Sequence, residues 1–114
     1  VRAEERKQAR SAYKDRPVLG GVYAITNTAT GRRLVETTQS LTASRNRFEF
    51  SRTTGLAVTL KLQQDWDTYG AESFVFEVLE ELKKGETQTP REFANDLKLL
   101  RELWLQKGHP GGFY

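Results

Sequence analysis

The sequence predicts a small α+β fold: a three-stranded antiparallel sheet flanked by helices, with an extra helix at the N-terminus. Three observations carry this. Two short runs of β-forming residues, Val22 to Ile25 and Arg32 to Thr38, flank a five-residue polar turn from Asn27 to Gly31. A third run, Ser73 to Glu81, alternates Phe74, Phe76 and Val78 with Val75, Glu77 and Leu79. Apolar residues at three- and four-residue spacing then mark helices between and after these strands.

Residues 2 to 14 are good helix formers with a weak apolar stripe, Ala9, Ala12 and Tyr13. Pro17 ends this segment, so residues 1–16 read as a charged N-terminal helix and residues 17–114 as the domain proper. In the hairpin turn, Gly31 suits a left-handed position. Ser40 is placed to cap a short helix from Leu41 to about Asn46. Residues 47 to 52 are ambiguous, because the alternation of Phe48 and Phe50 fits an extended segment whereas the family resemblance given below implies a helix. The spacing predicts a helix from Leu56 to Tyr69, ended by Gly70. Thr89 caps the last helix, with Pro90 at its first position, Phe93, Leu97, Leu100 and Trp104 as its core stripe and Gly108 as its stop. Trp66 and Trp104 are expected in the core.

Composition excludes several chemistries. The 114-residue chain has no cysteine, so disulfides, thiolate metal sites and thiol catalysis are ruled out. Its single histidine, His109, lies between Gly108 and Pro110 and reads as a solvated loop residue. No apolar run approaches the roughly 18 residues that a membrane span needs, and the start does not resemble a signal peptide. The expected compartment is the cytoplasm, with no membrane partner. A net charge of +3 is compatible with nucleic acid as a partner.

Three segments in order resemble the GIY-YIG endonuclease domain. They are Gly21-Val22-Tyr23 followed by Ala24 to Asn27, Leu62-Gln63 to Tyr69-Gly70 followed by Phe74 to Leu82, and the final helix with Trp104. The resemblance spans Gly20 to Gly108 and implies the same sheet and helix order. Members of that family hydrolyse phosphodiesters with a tyrosine from each of two strand motifs, an arginine on the next helix and a later glutamate that holds one divalent metal. The arginine and metal neutralise charge developing on the phosphoryl oxygens.

Carried over residue by residue, Tyr23 matches the first tyrosine. The second tyrosine falls on Leu34 and its glycine on Glu36, the arginine on Ser44 beside Arg45, and the metal-holding glutamate on Arg101. Glu102 is the nearest carboxylate, but one step along a helix turns it about 100° away. Loss of one preorganised charge-stabilising group costs about 10²–10³ in rate, and here several change together. The resemblance therefore implies a catalytically degenerate member with no metal site and no cofactor. The reciprocal charge change at Glu36 and Arg101 suggests that these two form a structural ion pair in place of the metal.

The leading expectation is a domain that binds nucleic acid without cleaving it, through Arg32, Arg33, Arg45, Arg47 and Arg52, with Phe48 and Phe50 interleaved to stack bases. The alternative is a protein-interaction or regulatory module on a retired nuclease fold. A third reading keeps metal-dependent endonuclease activity with relocated residues, namely Tyr23, Glu36 and Arg45, and needs a divalent cation such as magnesium.

Overall fold

The computed structural model describes residues 18–114, so the charged helix expected over residues 1–16 lies outside the described residues. Strand β1 (Leu19–Asn27) is central in an antiparallel sheet of order β2-β1-β3, with β2 spanning Arg33–Thr38 and β3 spanning Phe74–Lys83. Helix α1 (Leu41–Thr54) and helix α2 (Leu60–Tyr69) lie between β2 and β3, and helix α3 (Pro90–Lys107) follows β3. The expected three-stranded α+β architecture is therefore present.

The hairpin forms where turn chemistry places it. Gly31 takes φ +81°, and its N–H donates to the Asn27 carbonyl at 2.7 Å. The buried Asn27 side chain accepts from the Ala29 N–H at 3.0 Å, which fixes the turn from inside. The last helix begins with a complete capping box. Thr89 Oγ1 accepts from the Glu92 N–H, and the Glu92 carboxylate accepts from the Thr89 N–H.

Strand alternation divides the core in two. On one face Ile25, Leu34 and Phe74 pack with Phe48 of α1 and with Leu62 and Trp66 of α2. On the other face Val22, Ala24 and Val35 pack with Leu100, Trp104 and Leu105 of α3. The two helical layers thus sit on opposite sides of one sheet. β1 and β3 shift register between Val22 and Tyr23: Val22 faces Glu80 and Tyr23 faces Val78, leaving Leu79 extra. At that bulge the β3 backbone runs so close to Gly21 that a Cβ there would overlap the Glu80 carbonyl oxygen.

Several boundaries differ from the sequence expectation. Helix α1 does not stop near Asn46 but continues through the ambiguous segment to Thr54, so Phe48 and Phe50 are helical. Phe48 is buried and Phe50 is 69% exposed, which fits neighbours two apart on a helix pointing to different sides. Helix α2 begins at Leu60 because Thr59 is its cap, and Leu56 is exposed ahead of it. Trp66 is in the core at 3% exposure, as expected. Trp104 is instead half-buried at the rim of the second face, where its Nε1 donates to Glu80 at 2.9 Å.

The tail after α3 packs along the outer edge of β2. Arg33 N–H donates to the Gly112 carbonyl and Tyr114 N–H to the Arg33 carbonyl, each at 3.0 Å. The Tyr114 hydroxyl donates to Asp65 at 2.7 Å and accepts from Asn27 at 3.1 Å, tying the tail to both the hairpin turn and α2. Arg101 Nε donates to the Val35 carbonyl at 2.8 Å. These contacts occupy an edge that would otherwise present unpaired peptide groups.

Candidate functional site

A groove of about 260 Å³ opens on the sheet face that carries α1 and α2. Its floor is the hairpin: Tyr23 and Glu36 are direct cross-strand partners, and so are Ile25 and Leu34. A period of two sets all four side chains on one face. Helix α1 contributes Ser44 and Arg47 to the wall, and the lead-in to α2 contributes Val58 and Thr59. Ser44 and Arg47 are three positions apart on one helix face, and the buried Phe48 beside them holds that face to the sheet.

The Tyr23 ring is half-buried and stacks on Phe76 at 4.8 Å between centroids. Burial raises the Tyr23 phenol above its ordinary value, and the nearby Glu36 charge adds to this, while the Ser44 hydroxyl and Arg47 oppose it. A phenol shifted upward keeps its proton at neutral pH, so Tyr23 is a hydrogen-bond donor there and a poor base. The groove therefore offers a neutral donor, a guanidinium, hydroxyls and one carboxylate.

The five arginines singled out in the sequence do not share one surface. Arg47 lines the groove. Arg45 lies over the Phe76 ring at 5.2 Å, on the same side of the sheet. Arg52, further along α1, pairs with Glu49 at 3.9 Å. Arg32 sits over the Tyr114 ring at 4.3 Å, at the hairpin end. Arg33 pairs with Glu77 at 3.4 Å. Arg33 alternates with Leu34, so it points to the α3 side. Phe48 is too deeply buried to stack a base.

The expected ion pair between Glu36 and Arg101 is not formed. Glu36 lines the groove on the face of α1 and α2, whereas Arg101 comes from α3, which packs on the opposite face. Arg101 instead meets the β2 edge through the Val35 carbonyl. This arrangement does not fit a divalent cation held as the resemblance implies. The residue-by-residue resemblance puts a guanidinium where it calls for the ligand, the groove has one carboxylate, and among the described residues no three His, Cys, Asp or Glu side chains converge.

Sequence reasoning missed Thr37, Val58 and Thr59 as groove residues, and it treated Ser44 only as a lost arginine. Arg47 was legible as a basic residue, but its place in the groove was not. The usable signal was its spacing of one helical turn after Ser44.

No protein-family model and no curated protein matches the sequence. Two solved structures match the fold. The catalytic domain of the homing endonuclease I-TevI superposes with a TM-score of 0.58 at 19% identity, over 77% of this chain and 86% of that one. A glutamate-to-alanine variant of the same catalytic domain gives a TM-score of 0.57 at 19% identity, over 78% and 82%. Among the described residues no helix is long and apolar enough to cross a membrane. The superposition over more than three quarters of each chain shows a GIY-YIG-like fold.

Proposed function

We propose that this domain binds nucleic acid through the groove between Tyr23 and Arg47 and does not cut it. The observation that carries this reading is the convergence of Arg47 and Tyr23 on one concavity of a nuclease-like fold. Arg47 has no carboxylate partner among the described residues, so its charge is available to a phosphate. Tyr23 supplies a neutral O–H rather than a proton acceptor. Arg101 stands where the resemblance calls for a metal-holding carboxylate, which argues against hydrolysis by the family's chemistry. Arg45 flanks the groove and extends its basic wall, while Arg32, Arg33 and Arg52 are engaged with Tyr114, Glu77 and Glu49.

The test is binding of labelled single-stranded and duplex DNA and RNA at about 50 and 200 mM salt, with and without magnesium. Affinity is expected to fall with salt, with a log–log slope near −0.7 per phosphate contact on single strands and about −0.9 on duplex DNA. Arg47→Ala is expected to weaken binding across sequences and flatten that slope by about one unit. The label is expected to stay intact with magnesium. Magnesium-dependent cleavage lost on Tyr23→Phe would instead establish the endonuclease reading with Glu36. No binding at low salt would leave a protein-interaction module.

A further inference from the structure

Glu36 is the anomaly of this groove. An ionised carboxylate accepts hydrogen bonds and repels phosphate, yet Glu36 is the cross-strand partner of Tyr23 and lines the same concavity as Arg47. Among the described residues it has no ion-pair partner, and Arg101 is held at the β2 edge by the Val35 carbonyl. A ligand that satisfies both charges must bring an anion to Arg47 and hydrogen-bond donors to Glu36.

We infer that the groove takes one unpaired guanine nucleotide, with its phosphate at Arg47 and its Watson–Crick edge at Glu36. This rests on the nucleic-acid reading above and sharpens it. Guanine is the one common base whose edge offers two adjacent donors, N1–H and the 2-amino group, to a carboxylate's two oxygens. Adenine and cytosine each offer a single amino group, and in thymine and uracil the lone N3–H is flanked by carbonyls that Glu36 would repel. In a duplex that edge is already paired, so the base must be single-stranded or extruded. The volume limits the occupant: about 260 Å³, just under the usual range of ligand sites, is the scale of a single base with its sugar and excludes a helix. Leu34 and Val58 give the base plane an apolar bed, and Ser44 and Thr59 give hydroxyls for the sugar and phosphate.

The experiment measures fluorescence anisotropy with labelled thymine pentamers whose central base is guanine, hypoxanthine, adenine, cytosine or thymine. The guanine pentamer is expected to bind at least about tenfold more tightly than the all-thymine one, the scale of a good bidentate base contact. Hypoxanthine lacks the 2-amino group and is expected to lose most of that advantage, without any change to the protein. Glu36→Gln, checked for an unchanged melting temperature, is expected to bring the guanine pentamer close to the thymine one. Equal affinity for all pentamers, or a guanine preference that survives Glu36→Gln, overturns this inference and leaves the nucleic-acid reading standing. Failure of every pentamer and of longer strands to bind overturns both.

Discussion

Trp66→Ala is expected to lower the unfolding free energy by about 3–5 kcal/mol, the usual range for removing a buried large aromatic. Trp66 is 3% exposed and joins three elements. It stacks on Phe74 of β3 at 4.6 Å and meets Phe48 of α1 edge-on at 6.1 Å, while belonging itself to α2. The side chain therefore fastens both helices of the groove wall to the sheet, and its loss leaves a cavity that three elements would have to close together. For a domain of ordinary stability, about 5–15 kcal/mol, this is a large fraction. The Trp66 indole N–H has no hydrogen-bond partner among the described residues, so Trp66→Phe sacrifices packing alone and is expected to cost markedly less. Urea denaturation reads both, as a lower midpoint at unchanged slope. A loss for Trp66→Ala within about 0.5 kcal/mol, the range of surface substitutions, would contradict this role.

Gly21→Ala is expected to be costly for so small a substitution. Its Cβ would overlap the Glu80 carbonyl oxygen, which belongs to backbone and cannot swing aside as a side-chain tip can. Either β1 and β3 separate at their bulge or ladder hydrogen bonds break. The expected loss is about 1–3 kcal/mol or more, the scale of overpacking a tight interior. Gly85→Ala is the matched control: its Cβ would make only ordinary contact with Gln88, at 3.6 Å. That change is expected to be neutral, or to stabilise by up to about 1 kcal/mol through the unfolded chain. Thermal melts of the two variants side by side give the comparison, and equal midpoints would show that the bulge is not as tight as described.

The elements that sequence revealed were those whose polar and apolar residues follow one period. The hairpin had strand alternation on both sides of an Asn-to-Gly turn, and α3 had a cap, a proline and an unbroken stripe ending at glycine. Helix α1 was harder for a physical reason. Its buried stripe is Leu41, Ser44, Phe48 and Ser51, so serines occupy two of the four inward positions and the apolar periodicity disappears. Phe50, exposed two residues from the buried Phe48, then imitates a strand. Helix α2 starts four residues later than the spacing predicts because Thr59 is its cap, and Leu56 and Leu60 are 68% and 90% exposed, so no buried stripe marks its start.

At the site, strand alternation puts Tyr23 with Ile25 on one face of β1 and Leu34 with Glu36 on one face of β2, but the pairing of Tyr23 with Glu36 depends on the register of the hairpin, which alternation alone does not set. The ion pair between Glu36 and Arg101 could not be judged in that way. It depended on which side of the sheet α3 covers, and a stripe of Phe93, Leu97 and Leu100 packs equally well on either. Arg47 is legible as basic, but its spacing of one turn from Ser44 ranks it above Arg45, two positions away, only if the helix runs on past Asn46. The length of α1 decides this, because a helix ending near Asn46 would not carry Arg47 to the groove wall.

The most direct test of the central claim is to map where an oligonucleotide touches the folded domain, by following backbone amide chemical shifts during titration. The largest changes are expected at Tyr23, Glu36, Ser44 and Arg47 and in the segment of Val58 and Thr59. Changes confined instead to Arg32, Arg33 and the α3 side of the sheet, with the groove residues unmoved, would contradict the claim that this groove is the nucleic-acid site.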